Sequence, residues 1–415
     1  MNSAGSVCRA AKAAAPQVAL LSSETKDGAL HAMAASLEAS SDELRTANKE
    51  DLLRAEESGA SNTVIDRLTL SGSRIKSMAD GLRAVAAQPD PVGEVIEGWR
   101  RPNGLLIEKV RVPLGVVAVI YEARPNVTAD VAGLCLKSGN ACVLRGSSIA
   151  ISSNIAITKV LHEAASASGA PEGAIGLIQD TSRESAKELM KAKGLVDLLV
   201  PRGGKELISS IEEHADVPYL IDGDGNCHVY VDASADLEMA TGIIVNAKTQ
   251  RPSVCNAAET LLVHSEIADK WLPRALQELS TKGVELRGDD RVRAIYPEAT
   301  DATDSDWGTE YLELILAVKI VDSLDEAIAH INQWGTSNAE AIVTQDITAA
   351  RRFTSEVDSG SVFVNASTRF SDGSEFGYGA EIGISTQKLH ARGPMGLREL
   401  TTAKYVVWGD GQTRN

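Results

Sequence analysis

One cysteine stands in a segment whose charges favour its ionised form. Cys255 follows Lys248 and Arg251, and no Asp or Glu occurs from residue 240 to residue 258. Neighbouring cations stabilise a thiolate, which is the reactive form of a cysteine side chain. A lone cysteine near apolar residues is more often inert core, but the direct neighbours here are Arg-Pro-Ser and Asn. We therefore predict that Cys255 is a nucleophile.

A second stretch without carboxylates lies earlier in the chain. No Asp or Glu occurs from residue 131 to residue 162, whereas Lys137, Arg145 and Lys159 do. In a chain with a formal net charge of -16, two such stretches indicate places that tolerate a small anion. Burial would explain the apolar positions of this stretch but not its three cations. We therefore expect an enzyme that acts on phosphorylated ligands.

Composition argues against several other functions. The acidic balance disfavours nucleic acid or an anionic membrane as a partner, and no apolar run approaches the roughly 20 residues that span a bilayer. Residues 1–17 lack the continuous apolar region of a signal peptide. The five cysteines form no Cys-x-x-Cys pair, and the seven histidines show no ligand spacing. We therefore predict no disulfide framework, no metal site and a cytoplasmic location.

The elements that must position these residues follow an α/β pattern. Residues 7–89 have helical periodicity, and Ser40 and Glu43 match the spacing of a capping box. Residues 105–112 alternate between apolar and polar side chains, which is typical of an extended arm. From residue 116 to residue 214, apolar strands alternate with helices, which predicts a doubly wound parallel sheet.

A second alternating block runs from residue 227 to residue 364 and contains the cysteine segment. Within it, residues 289–307 show no clear element and are predicted to be a surface excursion. Residues 365–396 form a long polar loop of the kind that often serves a site, and residues 402–408 form a final strand. We therefore expect domains at 1–225, 226–364 and 365–415, with 101–113 as an oligomerisation arm.

Three polar turns follow strands of the first block. They lie at residues 122–126, 145–148 and 201–205, and each leads into the N-terminus of a predicted helix. Backbone N–H groups at such a terminus bind phosphate, and parallel sheets bind ligands at the carboxyl ends of their strands. No Gly-x-Gly-x-x-Gly follows a strand, so the common dinucleotide fingerprint is absent.

Four segments carry a resemblance to a known family: VPLGV at 112–116, YEARPN at 121–126, RPSVCNAAET at 251–260 and GPMGL at 393–397. Together they resemble the γ-glutamyl phosphate reductase family, a branch of the aldehyde dehydrogenase superfamily, over essentially the whole chain. The resemblance implies a doubly wound cofactor domain, an α/β catalytic domain and a small oligomerisation hairpin and tail. It also implies NADPH-dependent reduction of L-glutamyl 5-phosphate to glutamate 5-semialdehyde in proline biosynthesis.

The same resemblance assigns catalytic roles. Cys255 would form a thioester, and the oxyanion donors would be the amide of Asn126 and the backbone N–H of Cys255. Hydrolytic relatives carry a water-activating Glu where this chain has Asp222-Gly223-Asp224. An acyl-phosphate reductase should lack that base. Asp222 or Asp224 as a substitute base is disfavoured, because Asp-Gly pairs commonly form turns.

Binding residues follow from the turns and the resemblance together. The residues expected to bind NADPH are Arg124, Pro125, Arg145, Gly146, Ser147, Ser148, Gly203, Gly204 and Glu310. Arg145 and the serines favour a 2′-phosphate, although Arg145 as an ordinary surface cation is the alternative. The residues expected to bind the substrate are Arg251, Asn256, Lys248, Ser367, Thr368 and Arg369, with surface ion pairing the alternative for both arginines.

The sequence suggests several partners, and it allows functions other than this reduction. The arm and the C-terminal strand resemble the dimerising hairpin and tail of the superfamily, which implies a homodimer or tetramer. An unstable acyl phosphate suggests handover from glutamate 5-kinase, although no stretch identifies a docking surface. Another aldehyde or acyl-CoA dehydrogenase of this fold is a second interpretation, and a non-catalytic NADP-binding oligomer is a third.

Overall fold

The N-terminal part of the chain is helical, as its periodicity predicts. The computed structural model describes residues 3–221 and 223–414. Its first helices are α1 (Ala4–Val18), α2 (Ser23–Ala39), α3 (Ser41–Glu57), α4 (Asn62–Leu68) and α5 (Gly72–Ala86). The predicted capping box at Ser40 is wrong. Ser40 ends α2 and precedes α3 with φ -92° and ψ 12°, and its side chain makes no capping hydrogen bond, because an N-cap residue needs an extended conformation to reach the helix N–H groups.

Two antiparallel strands come next, β1 (Val95–Arg100) and β2 (Leu106–Pro113). The strand β2 lies where residues 105–112 were predicted to extend. The strand β1 was not predicted, because every one of its six residues is exposed and it has no alternating buried face.

The predicted doubly wound sheet is confirmed. Its four parallel strands follow the order β5-β4-β3-β6. They are β3 (Val116–Tyr121), β4 (Ala141–Gly146), β5 (Ile175–Leu177) and β6 (Leu198–Arg202), and the helices between and after them are α6 (Asn126–Lys137), α7 (Ile151–Ala167), α8 (Arg183–Met190) and α9 (Lys205–His214). All six residues of β3 are buried, because helices cover both faces of such a sheet. The strand order reverses between β3 and β6, and ligand crevices form at such a switch point.

A second sheet has seven strands, all paired in parallel. Its order is β10-β9-β11-β8-β7-β12-β13. The elements in chain order are β7 (Cys227–Val231), α10 (Leu237–Thr249), β8 (Ala258–His264), α11 (Ser265–Thr281), β9 (Glu285–Gly288), α12 (Asp290–Ile295), β10 (Thr300–Asp301), α13 (Asp304–Trp307), β11 (Ile315–Val321), α14 (Leu324–Trp334), β12 (Ala339–Val343), α15 (Ile347–Glu356) and β13 (Ser361–Val364). Apolar residues of β7, β8 and α11 form its main core, including Val229, Leu261 and Trp271.

The prediction that residues 289–307 form an excursion without elements is wrong. This segment contains α12, β10 and α13, and β10 adds an edge strand to the sheet. Each of these elements spans six residues or fewer, which is too short for a periodic signal.

The last elements are β14 (Ile384–Ser385), β15 (Gly393–Pro394) and β16 (Thr401–Trp408). The strand β16 pairs antiparallel with β2 along its full length, so a three-stranded sheet has the order β1-β2-β16. Several large apolar side chains of this sheet are exposed, among them Val95, Tyr405, Val407 and Trp408.

The chain divides into two compact units. One comprises Met1–Ile221, Gly377–Gly383 and Met395–Asn415, and the other Asp222–Phe376 and Ile384–Pro394. The region 365–415, expected to be a third domain, is therefore distributed over both. The first unit holds the four-stranded sheet, and the second holds the seven-stranded sheet.

Candidate active site

Cys255 occupies the turn between α10 and β8 in the second unit. It is partly exposed, whereas the other four cysteines are buried. The backbone of Gly225 lies against this turn, since a Cβ at Gly225 would stand 1.6 Å from the carbonyl oxygen of Cys255. The thiol of Cys227 donates to the same carbonyl oxygen over 3.2 Å. Neighbouring backbone and a buried thiol thus hold the cysteine turn in place.

Lys248 does not present a free cation to this turn. Its ammonium lies 2.5 Å from the carboxylate of Glu259, and neither side chain is exposed to solvent. Burial lowers the pKa of Lys248, and the charge of Glu259 opposes that shift. Helix α10 continues to Thr249, so Lys248 belongs to its last turn, while Glu259 is the second residue of β8. The pair therefore joins the two elements that flank the cysteine turn.

Two arginines lie near the cysteine. Burial lowers the pKa of Arg369, and the charge of Arg251 acts in the same direction, whereas Asp372 and Cys255 act to raise it. The guanidinium Nε of Arg369 donates to the side chain of Gln250 over 2.9 Å. Arg251 is exposed and Arg369 half-buried. Arg369 thus lies within electrostatic range of both Arg251 and Cys255.

The other predicted substrate residues are engaged within the fold. Asn256 Nδ2 donates to the carbonyl of Ser371 over 2.8 Å, and Thr368 Oγ1 donates to the carbonyl of Asn256 over 2.7 Å. Ser367 accepts from the backbone N–H of Arg369 over 3.3 Å. These three side chains are buried. Their contacts fix the segment that carries Arg369 against the cysteine turn.

Glu310 is linked to the cysteine turn through Gly225. Its Oε1 accepts from the backbone N–H of Gly225 over 2.7 Å, and Gly225 is the residue packed on Cys255. Two residues later the N–H of Leu312 donates to Glu259 over 3.1 Å. Leu312 has a φ of 57°, a left-handed value that is unusual for a leucine. Sequence reasoning assigned no role to Gly225, Cys227 or Glu259, because their contacts with the cysteine turn form only on folding.

In the first unit, the turn after β3 begins the helix that carries Asn126. This residue is the first of α6 and its side chain is exposed, while Arg124 is half-buried and Pro125 is buried. Asn126 Nδ2 donates to Asp130 over 3.0 Å. Burial raises the pKa of Asp130 to about 6, although Asn126 and Arg202 act to lower it.

The turn after β4 has the character expected of a binding loop. Arg145 donates through Nη2 to the carbonyls of Thr181 and Ser182, over 2.7 and 3.0 Å. Three buried polar atoms near this turn have no hydrogen-bond partner among the residues that the structure describes: Arg145 Nε, Ser147 Oγ and Asn154 Nδ2. Gly146 packs tightly, since a Cβ there would stand 2.0 Å from Asn154. Ser148 is exposed at the start of a short 3-10 helix.

The turn after β6 approaches the turn after β3. A Cβ at Gly203 would stand 2.8 Å from the carboxyl group of Glu122, whereas Gly204 has open space around its Cα. Within the described residues, a glycine thus ends β4 and glycines follow β6, and buried polar atoms without a partner lie near the turn after β4, which suits the phosphates of a dinucleotide. Asp180 also contributes here, because its charge acts to raise the pKa of Arg145 while burial lowers it.

The remaining predictions are that a substitute base, a metal site and a membrane span are absent. Of the two candidate substitute bases, Asp222 lies outside the described residues and Asp224 is half-buried. His228 forms a buried pair with Glu340 over 3.1 Å. No group of three or more His, Cys, Asp or Glu able to hold a metal occurs within residues 3–221 and 223–414. Over the same residues, no helix is both long and apolar enough to cross a membrane.

Comparison with known proteins gives a consistent result. The chain matches the aldehyde dehydrogenase family over residues 2–293 and 307–406. It is 57% identical over 404 residues to the gamma-glutamyl phosphate reductase of Caldanaerobacter subterraneus, covering 97% of this chain and 98% of that protein. It is 55% identical over 414 residues to that of Carboxydothermus hydrogenoformans, covering 100% of both. The crystal structure of gamma-glutamyl phosphate reductase from Thermotoga maritima superposes with a TM-score of 0.96 and 46% identity over 99% of both chains.

Proposed function

This chain belongs to the aldehyde dehydrogenase family, and we propose that it reduces L-glutamyl 5-phosphate to L-glutamate 5-semialdehyde with release of phosphate, in proline biosynthesis. Relatives more than half identical, named gamma-glutamyl phosphate reductase, support the proposal. The observation that carries it is a partly exposed Cys255 within electrostatic range of Arg369, which also senses the charge of Arg251. A nucleophile close to a guanidinium group suits an anionic acyl phosphate.

Cys255 is the proposed nucleophile. Its thiolate attacks the acyl carbon, a C–S bond forms, and the bond to the phosphate oxygen breaks with the electron pair leaving on phosphate. NADPH, when bound, supplies the hydride that reduces the thioester. Breaking of the C–S bond then releases the aldehyde and restores the thiolate of Cys255.

The oxyanion that forms along this path needs hydrogen-bond donors. The proposed donors are the side-chain amide of Asn126 and the backbone N–H of Cys255. The turn held by Gly225 and Cys227 fixes the backbone of Cys255 before substrate arrives. Removal of one such donor costs about 100- to 1000-fold in turnover.

The segment before β7 supports reduction rather than hydrolysis. Residues 220–225 contain no Glu, and the carboxylates present are Asp222 and Asp224. A water-activating base close to the thioester would release the acyl group as a carboxylic acid before reduction. We therefore propose that this segment does not activate water for attack on the thioester.

NADPH is the proposed cofactor, held at the carboxyl ends of β3, β4 and β6. Arg145 Nε and Ser147 Oγ are buried and have no hydrogen-bond partner in the described part of the chain, which suits a phosphate there. Gly204 leaves room for close approach of a ligand to the backbone. The residues proposed to hold the cofactor are Arg124, Pro125, Arg145, Gly146, Ser147, Ser148, Gly203, Gly204 and Glu310.

For the substrate, we propose that Arg251 and Arg369 bind the phosphate and the α-carboxylate. The contributions of Asn256, Lys248, Ser367 and Thr368 are indirect in this proposal, because their polar groups are engaged within the fold. These side chains hold Arg369 and Cys255 in position.

We also propose a homo-oligomer built on the sheet β1-β2-β16. Tyr405, Val407 and Trp408 are 61%, 53% and 60% exposed on an edge strand, and apolar surface of this kind is typical of protein contacts. A cytoplasmic location is proposed from the five free cysteines.

The reverse reaction tests the function and the nucleophile together. Full-length protein is supplied with glutamate 5-semialdehyde and NADP, with and without inorganic phosphate, and NADPH is followed by absorbance. We expect phosphate-dependent formation of NADPH by the wild type and by Cys8→Ser, which makes the same exchange in α1. We expect none by Cys255→Ser. Activity without phosphate would favour another aldehyde dehydrogenase reaction, and activity of Cys255→Ser equal to wild type would favour a non-catalytic role for this residue.

A further inference from the structure

Helix α6 carries a carboxylate one turn after Asn126. Asp130 lies four residues further on, so both side chains stand on the same face of the helix. Asn126 Nδ2 donates to Asp130 Oδ2 over 3.0 Å. The Asn126 side chain is exposed at the start of the helix, whereas Asp130 is half-buried. The exposed amide is therefore hydrogen-bonded to a less exposed carboxylate.

We propose that Asp130 is a positioning residue that orients the side-chain amide of Asn126, so that nitrogen rather than oxygen is presented to the oxyanion. This inference rests on the proposed function, in which Asn126 is an oxyanion donor. Nothing in the sequence singled out Asp130.

The physical basis is the difference between the two ends of an amide. An ionised carboxylate only accepts hydrogen bonds, so it attracts the NH2 group of Asn126 and repels its oxygen. The NH2 group has two hydrogens, and one of them remains for the oxyanion after the other binds Asp130. A flipped amide would turn its oxygen toward the developing negative charge. Hydrogen bonds to charged groups are strong enough to favour one orientation by about 10- to 100-fold.

The surroundings of Asp130 suit this role. Burial raises the pKa of its carboxyl group to about 6, while Asn126 and the charge of Arg202 act to lower it. The carboxyl group is therefore ionised at pH 7.5. From helix α5, the backbone at Gly81 approaches, since a Cβ there would lie 3.9 Å from Asp130 Oδ1. Arg202 ends β6, and its positive charge offsets the repulsion between Asp130 and a nearby oxyanion.

A double-mutant cycle tests the proposal. Asp130→Ala, Asn126→Ala and the double variant are assayed at pH 7.5 in the phosphate-dependent reverse reaction with full-length protein. We expect Asp130→Ala to lower kcat by about 10- to 100-fold with the KM for NADP within about twofold. In the Asn126→Ala background the same change should lower kcat by less than about twofold, because the group on which it acts is gone. Asp130→Asn, which keeps the volume and one acceptor oxygen, should retain more activity than Asp130→Ala.

The controls separate positioning from stability. Glu184→Ala removes an exposed carboxylate from the first turn of α8, and its kcat should equal that of the wild type. An equal loss from Asp130→Ala in both backgrounds would overturn the proposal, as would unchanged kcat in a folded Asp130→Ala. If the wild type shows no phosphate-dependent activity, the proposed function itself fails. If Asn126→Ala is fully active, the oxyanion role of Asn126 fails and the positioning role with it.

Discussion

The ion pair of Lys248 with Glu259 leads to a specific prediction about stability. Both side chains are fully buried, and Glu259 Oε1 also accepts from the N–H of Leu312 over 3.1 Å. Lys248→Met keeps an unbranched side chain but leaves the carboxylate of Glu259 without its cation. Removal of one partner from a buried pair costs about 3–5 kcal/mol. We expect the free energy of unfolding at pH 8.5 to fall by about that amount.

The loss should depend on pH. Burial raises the pKa of Glu259, and Lys248 opposes that rise, so the pKa rises further in Lys248→Met. A carboxyl group with a raised pKa in the folded state contributes full stability below its unfolded pKa and loses it as pH rises through the folded value. The difference between variant and wild type should therefore be smaller at pH 5.5 than at pH 8.5.

Urea unfolding followed by tryptophan fluorescence measures both effects. Lys248→Met/Glu259→Gln removes both charges and keeps an acceptor for Leu312, so it should recover most of the lost stability. Lys270→Met, at an exposed position of α11, is the matched control and should match the wild type within about 0.5 kcal/mol. A Lys248→Met variant within about 1 kcal/mol of wild type at pH 8.5, or a deficit that grows on acidification, would refute the reasoning.

Gly225→Ala would place a Cβ 1.6 Å from the carbonyl oxygen of Cys255, so steady-state kinetics should show at least about a tenfold fall in kcat. Gly242→Ala, with no atom within 4 Å of the new Cβ, should leave kcat unchanged. Burial, a second imidazole and a lysine lower the pKa of His330 to about 3. The stability contributed by its neutral form is therefore complete above about pH 6.5 and is lost as pH falls. His330→Phe should reduce the slope of the free energy of urea unfolding against pH by about 1.4 kcal/mol per pH unit between pH 6 and pH 4. Equal slopes for the variant and the wild type would contradict this. If the proposed oligomer forms on the sheet β1-β2-β16, Trp408→Lys should lower the molar mass measured by sedimentation, and an unchanged mass would contradict the proposal.

The parallel strands were the most predictable part of the fold. The two predicted blocks of alternating strands and helices match the structure at their ends, since β3 begins at Val116, α9 ends at His214, β7 begins at Cys227 and β13 ends at Val364. A strand between two helical layers is apolar on both faces, so its sequence differs sharply from its neighbours. The strand β1 gives no such signal, because its pairing with β2 depends on main-chain hydrogen bonds rather than on a buried face.

The site was predictable where its residues follow one another along the chain. The segment around Cys255 identified a nucleophile candidate and two cations, yet the carboxylate that pairs with Lys248 lies one residue beyond the acid-free window, at Glu259. Arg145 likewise binds carbonyls of Thr181 and Ser182, more than 30 residues away. Charge counts along a sequence cannot detect such partners, because folding brings them together.

The setting of Cys255 therefore depends more on a closed series of contacts than on local charge. Gly225 packs on Cys255, Glu310 holds the N–H of Gly225, and two residues later Leu312 donates to Glu259. Glu259 pairs with Lys248, which lies in the last turn of the helix before the cysteine turn. The series returns to its starting point, so its contacts together constrain the backbone position of Cys255. It also links Glu310, a proposed cofactor residue, to the backbone that packs on Cys255.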